Sequence, residues 1–330
     1  MRVALALGSG GARGYAHIGV IAELHERGHE VVSVAGTSMG ALVGGLQAAG
    51  RLEPFTEWAT GLTQRDVWRL LDPALTGPGV IKAERVIARV SQILDGARIE
   101  QLPIPFTAVA TDLDSRREVW FQRGPLDAAI RASIAIPSFI TPVVINGRTL
   151  VDGGLVNPVP IDATFGSVAD FTVAVNLAGL PGATHGPPVR ESSQPEPGAP
   201  WFERIRRGFG HLDMDWLRAR GAERGDQAAL PTAAEEVVDK AAQTAQAVAE
   251  VDPDLVFGAL PRGLKTTDVI VQSLDAMQAM ITRYRMAANP PDVQITIAAD
   301  AAGTLDFHRA SEMIALGREK AKQALDVTDY

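Results

Sequence analysis

The sequence predicts an α/β fold, and two strand-to-helix passages near the N-terminus carry that prediction. In the first, the apolar run Val3–Leu7 passes through Gly8-Ser9-Gly10-Gly11-Ala12-Arg13-Gly14 into the amphipathic segment YAHIGVIAELHERG. In the second, the β-branched run VVSVA (31–35) passes through Gly36-Thr37-Ser38-Met39-Gly40 into ALVGGLQAAG. Short, valine-rich apolar runs suit buried strands. A strand followed at once by a helix is the unit from which α/β sheets are built. With 330 residues, the chain has room for one large α/β domain or two smaller ones.

The first strand is Arg2–Leu7, and its helix ends at Gly28. A glycine-rich loop between strand and helix holds anions on backbone N–H groups. Two chemistries use that shape: dinucleotide binding and an oxyanion hole for acyl transfer. The Walker A form is excluded, since no Lys-Ser/Thr follows the loop. The dinucleotide form needs G-x-G-x-x-G, and counting from Gly8 puts Arg13 at the sixth position. Glu23 and Glu30 are the available ribose carboxylates, and neither follows a clear second strand. An oxyanion loop explains the glycines and the next motif with one chemistry.

That motif, Gly36–Gly40, reads G-x-S-x-G between a strand and a helix. Turning straight from one into the other strains the central residue and demands small neighbours, here Gly36 and Gly40. The geometry exposes the Ser38 hydroxyl at the tip of the turn. It also aims the N–H of Met39, at a helix N-terminus, toward whatever Ser38 attacks. The uncharged stretch Val31–Gly50 is long enough to span a membrane, but its glycines and β-branched start suit a strand–turn–helix better.

Beyond the elbow, FTEWATGLTQRDVWRLLDP reads as helical, Pro73–Gly79 as a loop and Lys82–Leu94 as an amphipathic helix. Phe106–Thr111 is a buried strand, and Glu118–Gln122 is a strand reached through a hairpin turn at Asp114–Arg117. Leu126–Ala135 is a helix stopped at Ile136-Pro137. Phe139–Ile145 and Arg148–Val151 flank Asn146-Gly147, a strong hairpin signal. The second of these strands ends at Asp152-Gly153-Gly154, where a carboxylate can approach another group with no Cβ in the way; a plain turn is the other reading. Leu155–Ile161 is an extended loop and Phe171–Asn176 a strand. Gly179–Pro200, rich in Pro, Gly and Ser, reads as a linker. Trp201–Leu217 has helical spacing and suits a docked helix or a lid, and Ala233–Glu250 is an alanine-rich helix. Val269–Ala287 is a long helix whose Met277, Met280 and Met286 are expected in the core. Val293–Ile297 is a strand and Ser311–Leu325 a closing helix.

Composition narrows the function classes. Hydrophobic residues make up 46% and charged residues 21%, as a globular core requires. A net charge of −8 argues against nucleic acid as a partner. The chain has no cysteine, which removes disulfides, thiolate metal sites and cysteine nucleophiles. No metal-ligand cluster is visible, and no cofactor is expected. The opening MRVALALGSGG lacks the length and cleavage site of a signal peptide, so a cytoplasmic protein is expected, with any bilayer contact peripheral.

In this order, the glycine loop, the elbow serine and Asp-Gly-Gly resemble the motifs of the patatin-like phospholipase family, and specifically its bacterial members related to neuropathy target esterase. Gly10-Gly11-Ala12-Arg13-Gly14 with AHIGV is similar to the family's oxyanion loop, Gly36–Gly40 to its nucleophile elbow, and Asp152-Gly153-Gly154 to its D-G-[GA]. RASIAIPSFITPV and DGGLVNPVP extend the likeness, which covers roughly 1–178 and more loosely 265–325. Ser9 departs from the pattern, since many relatives have a further glycine there. The resemblance implies a three-layer α/β/α sandwich with a central, mainly parallel sheet. It implies a catalytic core over 1–178 that 265–330 completes; 179–264 has no match in the likeness and reads from its composition as a variable insertion of loop and helices or a lid.

It further implies a serine lipid acyl hydrolase acting on a lipid or acyl ester. Ser38 corresponds to the nucleophile and Asp152 to its base, without a histidine. Gly10, Gly11 and Met39 are the expected oxyanion donors, and Arg13 either meets a substrate phosphate or fixes the loop. A triad in the order Ser…Asp…His would instead draw on His185, His211 or His308. Two other readings stand beside the hydrolase: a nucleotide-binding oxidoreductase using the first loop, and a non-catalytic scaffold with the same fold.

Overall fold

A computed structural model of the chain describes residues 1–70, 79–81, 83–180 and 266–328. These residues belong to one compact unit, Met1–Pro187 with Lys265–Tyr330. β1 (Arg2–Leu7) is buried from Val3 onward and feeds a 3-10 turn, Gly11–Tyr15, and then α1 (Ala16–Glu26). β2 (Glu30–Thr37) runs parallel to β1, with Gly36 level with Leu7. α2 (Met39–Ala48) begins after a single intervening residue, Ser38, so the uncharged stretch 31–50 is a strand, a turn and a helix.

The segment read as one helix after Gly50 is two, α3 (Leu52–Thr60) and α4 (Gln64–Leu70). Thr63 and Asp66 explain the break. The Asp66 carboxylate accepts the Thr63 N–H at 3.1 Å, and the Thr63 hydroxyl accepts the Asp66 N–H at 3.3 Å. Such reciprocal capping starts a new helix just after Gly61. β3 (Gly79–Ile81) and α5 (Glu84–Leu94) follow. The expected loop before Gly79 lies outside the described residues.

β4 (Phe106–Asp112) is buried throughout, and β5 (Arg117–Phe121) returns antiparallel to it. α6 (Leu126–Ser133) comes next. The run Phe139–Ile145 is not one strand. β6 (Ser138–Ile140) pairs with β3 in a sheet of its own, while β7 (Val143–Ile145) forms the Asn146-Gly147 hairpin with β8 (Arg148–Asp152). Pro142 divides them, because it has no N–H to donate to a ladder and restricts the residue before it. β9 (Phe171–Gly179), α7 (Thr266–Ala288), β10 (Val293–Ala298) and α8 (Ala310–Thr328) complete the described elements. The linker and two helices expected between Leu180 and Glu250 lie outside the described residues.

The main sheet has the order β10-β9-β1-β2-β4-β8-β7, with β5 on the free side of the β4 hairpin. Neighbours from β10 to β4 are parallel, and the pairs involving β5, β7 and β8 are antiparallel. α1, α2, α6 and α8 cover one face and enclose the main core with Leu5, Leu7, Val34, Phe106 and Val173. Gly19 and Gly317 let α1 and α8 touch: a Cβ at either would lie 2.0 Å from a carbonyl oxygen of the other helix. The opposite face is covered by α7, through Met286, and by the segment around Val159–Ile161, packed on Ala6 and Ala174. The result is a three-layer α/β/α arrangement on a mainly parallel sheet. Met277 and Met280 are 53% and 43% exposed, against the expectation of a core role. Met277 stands nine residues, about two and a half turns, before Met286 and so faces the other way. Among the described residues, no helix is long and apolar enough to cross a membrane.

Candidate active site

The carboxyl ends of adjacent β1 and β2 bring the glycine loop and the elbow together, where open α/β sheets bind ligands. Ser38 has φ 57° and ψ −122°, a left-handed conformation that strains a residue with a side chain. The tight turn explains both flanking glycines. A Cβ on Gly36 would lie 2.3 Å from the Gly40 carbonyl oxygen, and one on Gly40 would lie 2.1 Å from that of Leu7. Hydrogen bonds hold the strained residue on either side. Ser38 N–H donates to Ser133 Oγ at 2.8 Å, and Ser133 Oγ donates to the Val109 carbonyl at 2.6 Å. Thr37 Oγ1 donates to the Asn157 carbonyl at 2.8 Å.

Asp152 ends β8 beside this turn, and Ser38 Oγ donates a hydrogen bond to its Oδ2. The other carboxylate oxygen accepts the Gly154 N–H at 2.7 Å. Main-chain bonds to the Ala135 carbonyl and from Thr111 Oγ1 fix the residue, each at 2.9 Å. The carboxyl group is buried, and burial pushes its pKa up to about 6, against the opposing pull of the Ser38 and Gly154 donors. The two following glycines are steric requirements. A Cβ at Gly153 would lie 2.3 Å from the Val109 carbonyl oxygen, and one at Gly154 would crowd Gln278, Ser9 and Asp152 itself.

Gly10 and Gly11 line the same pocket as Ser38 and Asp152. In their loop the N–H groups of Gly8, Ser9 and Ala12 are bonded to the carbonyls of Val175, Pro158 and Thr304. Those of Gly10 and Gly11 have no acceptor among the described residues, so they are available to an incoming anion. Met39 opens α2, and the N–H of a first helical residue has no acceptor within its helix. Its side chain turns away, against Gly14. Arg13 is buried. Its Nε donates to the Gly10 carbonyl at 3.1 Å, a terminal nitrogen donates to the Ala299 carbonyl at 2.5 Å, and the other lies 3.7 Å from Asp275. This guanidinium ties the loop to the segment after β10.

Two pockets meet at Ser38. One also takes in Ser9, Arg13, Leu155 and, from α7, Asp275 and Gln278. The other is lined by Met39, Leu42, Phe55, Trp58, Val86 and Phe307, with further apolar side chains. Neither Ser38 Oγ nor the Asp152 carboxylate bonds a histidine among the described residues. His308 sits in the 3-10 turn Phe307–Arg309 without such a bond, and His185 and His211 lie outside the described residues. Glu30 pairs with Arg2 at the opposite end of β2 from the glycine loop, which leaves no ribose carboxylate from that residue. No group of three or more His, Asp or Glu among the described residues is arranged to hold a metal ion.

Sequence reasoning missed several supporting residues. Ser133 lies in RASIAIP and Asn157 in DGGLVNPVP, quoted above only for their likeness to the family. His17 is buried, its pKa pushed down to about 4 by desolvation, and its Nε2 donates to the Gly8 carbonyl at 2.8 Å. Ser9, the departure from the pattern, is engaged: its hydroxyl donates to Gln278 Oε1 at 3.1 Å. No local sequence signal marks these contacts, since each joins segments distant in the chain or depends on a buried rotamer.

The chain is similar to several known proteins. A family model described as patatin-like phospholipase matches residues 5–165. An uncharacterized NTE family protein from Mycobacterium tuberculosis is 45% identical over 334 residues, spanning 98% of this chain and 91% of that one. The mouse patatin-like phospholipase domain-containing protein 7 is 31% identical over 182 residues, 53% of this chain and 13% of the mouse protein. The crystal structure of VipD from Legionella pneumophila superposes with a TM-score of 0.43 at 12% identity, covering 99% of this chain and 67% of that one.

Proposed function

This chain belongs to the patatin-like phospholipase family, among its NTE-type members, which implies lipid acyl hydrolysis, and we propose that it is a serine hydrolase working through a Ser38–Asp152 dyad. The observation that carries the reading is the hydrogen bond from Ser38 Oγ to a buried carboxylate, on a strained turn at the edge of a pocket. Ser38 Oγ attacks the ester carbonyl while its proton passes to Asp152 Oδ2. The tetrahedral oxyanion is held by the N–H groups of Gly10 and Gly11, with that of Met39 at the positive end of α2. Asp152 then returns the proton to the departing alcohol, leaving an acyl-enzyme on Ser38. In the second half it takes a proton from the water that attacks the acyl carbonyl, and returns that proton to Ser38 Oγ as the acid leaves.

Burial of Asp152 serves this cycle. A carboxylate at its ordinary 3.8 is a poor base, while one raised to about 6 is stronger and is still ionised at neutral pH. Arg13 acts by fixing the oxyanion loop, as its bonds to Gly10 and Ala299 favour. We read 1–178 with 265–330 as the catalytic core. Ser38→Ala and Asp152→Asn are each expected to abolish hydrolysis of p-nitrophenyl acyl esters, with folding retained. Ser38→Ala also loses labelling by a fluorophosphonate. Turnover at the wild-type rate in either variant removes the mechanism, and an unlabelled wild type would favour the scaffold reading.

A further inference from the structure

We propose that the enzyme selects the alcohol portion of its substrate by charge, hydrolysing esters of neutral or cationic alcohols in preference to those bearing an anionic group, with Asp275 setting the preference. The inference rests on the reading of Ser38 as nucleophile and deepens it.

The two pockets at Ser38 divide an ester between them. In the apolar pocket Leu42, Phe55, Trp58 and Phe307 surround the space. A polar alcohol placed there would lose water and find almost no partners, whereas an acyl chain gains from the burial. The alcohol therefore occupies the pocket lined by Ser9, Asp275 and Gln278.

Charge in that second pocket is unbalanced. Arg13 is the cation among the described residues lining it. Its side chain is only 4% exposed, and its nitrogens are directed to the Gly10 and Ala299 carbonyls and to Asp275. No guanidinium fork is left to grip a phosphate in the two-pronged way such groups are recognised. Against this one cation stand two carboxylates, Asp152 and Asp275. The Asp275 side chain is 35% exposed and only 3.7 Å from Arg13 at its nearer edge, so it presents negative charge to an incoming ligand. Low-dielectric walls concentrate such a field. A quaternary ammonium would gain from it, a glycerol hydroxyl would donate to it, and a phosphate monoester would be repelled.

The test compares kcat/KM for octanoyl esters of choline, glycerol and glycerol 3-phosphate, which share one acyl chain. For wild type, the glycerol 3-phosphate ester is expected about tenfold or more below the glycerol ester at low salt, with the choline ester equal or better. At about 1 M salt, where charges are screened within about 3 Å, the gap narrows. Asp275→Asn narrows it at low salt, and Asp275→Lys reverses the order. Because Asp275 also touches Arg13, either variant is expected to lower all rates, and the ratio between substrates is the readout. A wild type cleaving all three equally, or preferring the anionic ester, overturns this inference alone. Ratios unchanged in both variants overturn the role of Asp275. A wild type cleaving none overturns the nucleophile reading and this inference with it.

Discussion

Replacing Asp152 with asparagine should remove activity and yet make the protein more stable at neutral pH. The carboxyl group is buried, and its pKa stands at about 6 in the folded chain against an ordinary 3.8. Between those values the folded state holds a proton that the unfolded chain has released. Stability therefore falls as pH rises through this window and levels off above it. At about 1.4 kcal/mol per pH unit, the gap corresponds to about 3 kcal/mol of destabilisation at neutral pH. Asparagine has nearly the same shape, still accepts at Oδ1 from the Gly154 N–H, and never ionises. Urea unfolding followed by tryptophan fluorescence, at steps from about pH 4 to about pH 8, gives the stability difference between variant and wild type. That difference should swing in favour of Asp152→Asn by about 3 kcal/mol across the range, with most of the change between 4 and 6. A difference that stays flat would refute the reasoning, because it would mean that Asp152 ionises as easily inside the fold as outside it.

The same group sets the rate profile: kcat/KM should rise with pH around an apparent pKa of about 6 and stay level to about pH 8, in a stopped-flow or spectrophotometric ester assay. A profile centred near 4 would mean that the base is a carboxylate of ordinary pKa, not one raised by burial. Ser133→Ala strands both the Ser38 N–H and the Val109 carbonyl, so unfolding should cost about 1–3 kcal/mol less and kcat should fall more than KM changes. Gly154→Ala puts a methyl group 2.8 Å from Gln278 Nε2 and 3.0 Å from Asp152 Oδ1. Since these neighbours are side chains, circular dichroism should report a retained fold while kcat drops.

Much of the geometry at the candidate site is legible in the sequence because it rests on backbone conformation. Gly36, Gly40, Gly153 and Gly154 each stand where a Cβ would strike a neighbour, so the steric demand is written directly as residue type. Strand-to-helix order is legible for the same local reason. The split at Thr63 was also local, a T-x-x-D cap obscured by the continuous apolar spacing around it. The split at Pro142 was signalled by the proline, but the partner of the released piece, β3, lies some sixty residues away, and pairing at that range leaves no local mark. Side-chain support was the least visible part. Ser133 is one of many serines until Ser38 and Val109 are folded against it. Arg13 was open between ligand and scaffold until its carbonyl partners were known.

The proposed dyad would operate between opposing demands on one carboxylate. Desolvation alone would drive Asp152 toward a neutral acid, useless as a base at pH 7. Donors alone would drive it low, leaving it too weak to draw a proton from an alcohol. The Gly154 N–H and the Ser38 hydroxyl pull against burial and leave the group at about 6. One of these donors is the reacting group itself. When the serine proton has moved and the acyl group occupies Oγ, that donor is gone, and the carboxyl group is left with burial and a single N–H. Its affinity for a proton then rises, which makes it a better base toward the water that must enter next. An imidazole between carboxylate and serine would screen the acid from this change, whereas in the proposed mechanism direct contact would make the base stronger in the acyl-enzyme, where water has to be activated.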